Sequence, residues 1–311
     1  MAVKKCKIAS IIVLYYPDFK LIAKTVSTCL KSCDLVILVN NSHGKELDTN
    51  KEIRVMNELT NISTLNTNVH IIDRASNLGL SKAYNLAIEF ANSRGVSHYL
   101  ILDQDSEVNE LVADNLRRTH AYLSQLNVKF LLGTKNVRPF LNFADKVANT
   151  VNVRGLKKIE INNVGIVAEV KLLINSGMFL EYSSFLEIER YNEKLFMDAV
   201  DIDFCFRAKK LGYKLFECES NPILQNLNDK YNLTLLGINM RMNSAEREFH
   251  IIYDSILVAR SNFKYFFISS LWLLLTVLIQ SFLTTIISKN RIKSLGLFIR
   301  AFIEIFSSTH I

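Results

Sequence analysis

The chain has 311 residues, a formal net charge of +7 and 49% hydrophobic residues, enough to bury a substantial core. The positive balance suits an anionic partner, either a nucleotide or an acidic membrane surface, and does not separate the two. Five cysteines, odd in number and without zinc-type spacing, exclude a disulfide framework and read as reduced, partly buried thiols of a cytosolic protein. Met1 to Cys6 lead straight into the first strand, so no secretory signal is expected.

The chain opens with a strand-length apolar run, Ile8 to Leu14, that ends in Tyr15-Tyr16-Pro17-Asp18. Ile22, Val26, Cys29 and Leu30 then recur at helical spacing, and Leu35 to Val39 form a second buried-type strand that stops at Asn40-Asn41-Ser42. Residues 44–68 are polar and weakly periodic and read as an insertion over one edge. Val69 to Ile72 predict a third strand and His98 to Leu102 a fourth, with Ala83, Leu86, Ala87 and Phe90 on one face of a helix between them. Apolar strands alternating with helices predict a mostly parallel, Rossmann-like sheet covered on both faces. Ligands bind such sheets at the carboxyl ends of the strands, and each polar cluster so far falls at such an end.

The fourth strand runs into Asp103-Gln104-Asp105-Ser106. Two carboxylates one residue apart at the end of a buried strand are costly to desolvate. A hard divalent cation, Mg²⁺ or Mn²⁺, offsets that cost and usually completes its shell with substrate phosphates. The plainer alternative is that Asp105 or Ser106 caps a helix beginning near Val108. A second acidic cluster places Asp198, Asp201 and Asp203 within six residues. With a helix starting near Val200, Asp201 and Asp203 sit in its first turn, where the helix dipole favours ionised carboxylates. One of them could take the proton of an attacking hydroxyl. The alternative there is an acidic cap on an amphipathic helix with Phe204, Ala208 and Leu211 inward, ended by Gly212. The six histidines, His43, His70, His98, His120, His250 and His310, are scattered with no pair at metal-ligand spacing, so no imidazole site is expected.

The ordered set Val13–Asp18, Val39–Ser42, Asn77–Asn85, Leu102–Ser106, Asn175-Ser176-Gly177 and Leu195–Gly212 resembles a family 2 glycosyltransferase of GT-A fold, most closely the bacterial rhamnosyltransferase branch. The likeness covers about residues 8–230. It implies a nucleotide-sugar donor, a divalent metal (Mg²⁺ or Mn²⁺) on Asp105 and Asp103, and inversion at the anomeric carbon with Asp201 as the catalytic base and Asp203 two residues later beside it. Asp103 could serve the donor ribose instead. The resemblance further implies that Tyr15, Pro17, Asn40, Asn41, Asn77, Gly79 and Asn85 bind the nucleotide sugar. Four places depart from the family pattern: Leu14-Tyr15-Tyr16-Pro17 ends the first strand where Thr-Tyr-Asn-Pro is commoner, Asn40 stands where Asp is usual, Gln225 at a His position, and Tyr253-Asp254 at an Arg-Asn pair. A nucleotidyltransferase would want a glycine-rich basic loop after the first strand, the opposite of Tyr15-Tyr16-Pro17-Asp18.

Tyr265 to Ser288 carry no charge and are diluted by Ser, Thr and Gln, with Arg260 and Lys264 before them and Lys289, Arg291 and Lys293 after. That length could cross a bilayer. Basic flanks at both ends fit a hairpin in the inner leaflet better, with Leu297, Phe298, Arg300, Ala301, Phe302 and Ile305 as a second amphipathic segment. The expected organisation is a catalytic domain over 1–240, with a donor half to about 135 and an acceptor half from 136, and a membrane-associated helical segment over 241–311. The expected reaction moves rhamnose or another deoxyhexose from a dTDP- or UDP-sugar to a lipid-linked saccharide in O-antigen or capsule synthesis, at the cytoplasmic face of the bacterial inner membrane, with no nucleic-acid partner. UDP-galactose or UDP-glucose as donor, or a degenerate membrane adaptor without catalysis, are the alternatives.

Overall fold

The structure is a computed structural model and describes residues 6–43, 49–74, 76–137, 158–161, 164–225, 232–235, 238–241 and 245–287, with 296, 299, 300 and 303. The first half follows the expected alternation: β1 (Ile8–Leu14), α1 (Phe19–Cys29), β2 (Leu35–Asn40), α2 (Thr49–Thr64), β3 (Val69–Asp73), α3 (Gly79–Asn92) and β4 (His98–Asp103). Then come β5 (Ser106–Glu107), α4 (Val112–Leu123), β6 (Phe130–Val137), β7 (Lys158–Ile161), β8 (Gly165–Val170), β9 (Met178–Glu181) and α5 (Tyr182–Glu187). The last elements are α6 (Val200–Lys210), β10 (Lys214–Gln225), the short hairpin β11 (Asn232–Leu235) and β12 (Ile238–Arg241), α7 (Ala245–Asn262) and α8 (Phe267–Ile287).

Among the described residues ten strands form one sheet, ordered β3-β2-β1-β4-β9-β6-β10-β8-β7, with β5 on β10. Strands β3, β2, β1 and β4 are parallel. Beyond β4 the sheet is mixed, because β9 runs antiparallel to both β4 and β6. This corrects the mostly parallel expectation: β9 is four residues long, too short to show a period of its own. Along β1, Ala9, Ile11 and Val13 pack with α3, while Ile8, Ile12 and Leu14 pack with α1, α2 and α4. Both faces are covered, as a parallel half-sheet requires.

Two local expectations are also corrected. The supposed insertion contains α2, which buries Val55 and Leu59, one helical turn apart, and little else that a pattern could show. No helix starts at Val108: Ser106 lies in β5, and α4 begins at Val112 after Asn109, whose side chain accepts from the Leu111 amide. α1 is capped by Asp18, which accepts from the Lys20 and Leu21 amides, so this acid at the end of β1 serves a helix. Among the described residues no helix is long and apolar enough to cross a membrane. Lys289, Arg291 and Lys293, and most of the second amphipathic segment, lie outside the described residues.

Candidate active site

The acidic turn after β4 is fixed from three directions. The Tyr15 amide donates to Gln104 Oε1 at 2.7 Å, and Gln104 Nε2 donates back to the Tyr15 carbonyl at 3.2 Å. The residue between the two aspartates thus ties their turn to the end of β1. From behind, the Asp103 amide reaches Ser176 Oγ (3.5 Å), which also contacts Ser106 Oγ at 2.8 Å. Gly177 follows at φ +90°, where a Cβ would fall 2.7 Å from Thr134 Cγ2; only glycine fits there. The third side is β10, which bends between Cys218 and Ile223 and pairs Gln225 with Ser106. The buried Gln225 donates its amide to Asp103 Oδ2 at 2.9 Å. The residue standing at the family's histidine position therefore touches the acidic turn itself. Asn226 to Asp229, the rest of that stretch, lie outside the described residues.

At the end of β2, Asn40 donates to Asp73 Oδ1 (2.8 Å) and accepts from the Ser42 amide (3.0 Å). An aspartate here would face Asp73 as a like charge; the amide makes that contact a hydrogen bond. Asn41 accepts from the Leu78 amide and donates to the Gly79 carbonyl at 3.0 Å, and Asn77 accepts from the Gly79 amide at 2.9 Å. Tyr16 takes a left-handed backbone, φ 47°, braced by its amide on Ser42 Oγ and its hydroxyl on the Ser42 carbonyl. Its neighbour Tyr15 is 47% exposed, and Pro17 beside them is half-buried.

Gly79 and Asn85 are both tied to the chain that leads into α6. A Cβ on Gly79, at φ +72°, would sit 2.4 Å from the Phe196 carbonyl oxygen. That oxygen accepts from the Leu80 amide at 2.6 Å. The close approach the glycine permits is thus to the chain leading into α6. Asn85, buried, donates to the Tyr191 carbonyl and to Glu193, and accepts from the Tyr191 amide. It clamps residues 191–193 to α3.

The second acidic cluster separates into three roles. Asp203 is buried and paired with Arg207 at 2.8 Å, whose guanidinium also donates to the Ile188 carbonyl. Its carboxylate is committed to an ion pair one helical turn away. Asp198 is pushed up to about 6 by burial first, then by the charge of Asp201. Asp201 is half-buried at the start of α6 and accepts from the Ile202 amide. Leu211, expected inward, is 43% exposed, because the helix ends at Lys210 and Gly212 turns the chain at φ +83°.

The residues before α6 are held by Asp254 of α7, a position the sequence marked only as a departure. Its Oδ2 accepts from the Phe196, Met197 and Asp198 amides at 3.1, 3.0 and 2.9 Å. Burial raises the Asp254 carboxyl, and these three amides pull it back. The signal available beforehand was a lone acid between Ile252 and Ile256, on a face that is otherwise buried. Tyr84 joins the two acidic clusters. Its phenol is fully enclosed and raised well above its ordinary value by burial, then by Asp103, with Tyr191 and Asp201 contributing further. Asp103 and Asp201 thus act on one buried ring at the carboxyl end of the sheet.

No protein-family model matches the chain. A curated relative, the dTDP-rhamnosyl transferase RfbF of Shigella flexneri, is 24% identical over 257 residues, covering 82% of this chain and 80% of the relative. The fold is shared with the mannosyltransferase PcManGT of Pyrobaculum calidifontis in complex with GDP-Man and Mn²⁺ (TM-score 0.57, 8% identity, 98% of this chain and 88% of that one). It is also shared with S. aureus TarS 1–349 (0.51, 15%, 95% and 80%) and with GalNAc-T7 with UDP, GalNAc and Mn²⁺ (0.53, 12%, 83% and 48%). The chain is a glycosyltransferase, similar in sequence to a rhamnosyl transferase and in fold to these GT-A enzymes. It spans about half the length of the GalNAc-T7 chain.

The transferase offers a hard cation an oxygen donor set at the end of β4, the half-buried carboxylates of Asp103 and Asp105, which fits Mg²⁺ or Mn²⁺ without distinguishing them. Two of the histidines that are scattered in the chain come together in the fold. His98, His120 and Glu181 bring one ligand atom each within 4.8 Å of one another. Burial lowers His98 to about 4, and the His120 contact holds Glu181 at about 2. This group lies at the amino end of β4, opposite the acidic turn. Chain order hides it: β4, α4 and β9 each supply one member.

Proposed function

We propose that the enzyme moves a deoxyhexose, rhamnose foremost, from a dTDP-sugar to a lipid-linked saccharide of surface-polysaccharide synthesis, with inversion at the anomeric carbon. The observation that carries this reading is the acidic Asp103–Asp105 turn, held at the end of β4 by Gln104, Ser176 and Gln225, in a chain similar along four-fifths of its length to a dTDP-rhamnosyl transferase.

In this mechanism Asp105, with Asp103, would hold a divalent ion, which would supply positive charge to offset that of the departing diphosphate. Tyr15 and Pro17 offer one wall to the base and ribose. Asn40, Asn41 and Asn77 shape the other through the turn they fix around Gly79. Asp201 takes the proton of the acceptor hydroxyl as that oxygen bonds to the anomeric carbon and the bond to the diphosphate oxygen breaks. One protein base is enough, because the leaving group needs no proton. Asp203 and Asn85 serve the scaffold, Asp203 through Arg207 and Asn85 through residues 191–193.

The acceptor side is supported by α8, which exposes Ile268, Leu271, Trp272, Leu275 and Leu278 along one stripe, with Arg260 and Lys264 close before it. An apolar stripe beside basic residues suits the surface of an anionic leaflet. The protein on this reading sits at the cytoplasmic face of the inner membrane, where lipid-linked acceptors present their sugars. The test is transfer from dTDP-rhamnose, UDP-glucose and UDP-galactose to lipid-linked saccharides, with the product anomer assigned by NMR. Rhamnose transfer with inverted configuration is expected. Transfer from a UDP-hexose alone would replace the donor, and retained configuration would overturn the role given to Asp201.

A further inference from the structure

We propose that His98, His120 and Glu181 form a second cation site, for a borderline transition ion such as Zn²⁺, at the amino end of the central strand. The pairing of β4 with β9 sets His98 directly opposite Glu181, and α4 brings His120 over the pair. His120 Nε2 and Glu181 Oε2 are 3.4 Å apart. Two ligands at about 2.0–2.2 Å from a tetrahedral Zn²⁺ stand at nearly that separation. His98 Nδ1 is engaged by the Ser97 hydroxyl at 2.9 Å, which leaves Nε2 to coordinate and fixes the ring from its outer side. Phe179 packs against both imidazoles, and Phe130 against that of His120, so the group has an apolar wall. Three protein ligands leave a fourth position for water.

This site is independent of the donor site in place and in chemistry. His98 and Asp103 are the two ends of β4, roughly 16 Å apart at strand rise. Two imidazoles and a carboxylate select Zn²⁺ or Co²⁺, whereas the carboxylates of Asp103 and Asp105 suit Mg²⁺ or Mn²⁺. A cation here joins β4, β9 and α4. It stabilises the fold by mass action, since the unfolded chain does not hold the three ligands together.

The test is titration of the metal-stripped full chain with Co²⁺, followed by visible absorption and calorimetry, and with Zn²⁺, followed by thermal unfolding. One equivalent of Co²⁺ with the intense bands of a tetrahedral nitrogen–oxygen site is expected, together with a higher Tm in Zn²⁺. Asp105→Ala retains both signals. Glu181→Gln and His120→Gln, at positions that are not fully buried and keep a polar side chain, lose affinity by roughly a hundredfold, since loss of an outer partner alone costs about 10–100-fold. Unchanged binding in the two glutamine variants, or only the pale spectrum of an octahedral oxygen-bound ion, would overturn the site. X-ray absorption on the wild-type Co²⁺ protein decides independently of any variant: two imidazoles in the shell support the assignment, and none refutes it.

Discussion

The two acidic clusters of this enzyme are alike in sequence and unlike in construction. The Asp103–Asp105 turn closes a buried parallel strand and is fixed by the Tyr15 backbone just after β1 and by side chains from β10 and the Ser176-Gly177 turn. Asp198, Asp201 and Asp203 straddle the start of a helix, and three neighbouring carboxyls meet three environments there: a half-buried position beside another charge, the first helical turn, and an ion pair. At the strand end, spacing alone marks both residues. At the helix start, spacing marks the cluster, and only packing divides its members.

The sharpest way to break that contrast is to remove one acid from each cluster. Asp105→Ala should cut kcat/KM by about 10³-fold or more, because the stabilisation of charge on the leaving diphosphate goes with it. Asp201→Asn should lower kcat by about 10²–10⁴-fold, the usual range for loss of a general base, with donor binding intact. Equal loss of donor binding in both variants would merge the two roles.

Asp203 supplies the opposite control. Asp203→Asn should cost about 3 kcal/mol of stability, read from denaturant unfolding, because the Arg207 guanidinium is left enclosed without its partner. Activity per folded molecule should stay near wild type. A large fall in kcat for the folded variant would return Asp203 to the catalytic machinery.

Asp254 connects the second cluster to the C-terminal helices. Asp254→Ala should cost about 2 kcal/mol, since three amides lose a charged acceptor, and should lower kcat more than it raises KM. Asp254→Asn keeps an acceptor oxygen and should recover part of both. A further effect is one of pH. The folded pKa of Asp198, about 6, lies above that of an unfolded aspartate, near 3.9. The destabilisation therefore builds from about pH 4, is complete above about 6, and vanishes where both states are protonated. Asp198→Asn should flatten the stability profile across that window; an unchanged profile would mean that Asp198 does not titrate there.

Much of the fold was legible because β1, β2 and β4 are continuous apolar runs, and the sheet buries both their faces. What was hidden depended on short or polar elements: α2 with only two fully buried apolar positions, and β9 with four residues. The acidic turn was readable since desolvation makes Asp103 and Asp105 costly wherever that strand ends. Asp254, Gln225 and the His98 cluster were not, because each acts across the fold on residues far away in the chain. Gly79 is instructive in another way. Its left-handed backbone was foreseeable as a loop feature, but the neighbour it admits is Phe196, so it joins the donor-side loop to the acidic loop.

The most direct test of the central claim, a metal-dependent donor site at the carboxyl ends of β1, β2 and β4, is calorimetric titration with dTDP- and UDP-sugars in the presence and absence of Mn²⁺ or Mg²⁺, on wild type and on Asp105→Ala. The account predicts that one donor binds wild type only with the metal and does not bind the folded variant. Metal-independent binding of equal strength in both proteins, or no nucleotide binding to folded wild type, would contradict it.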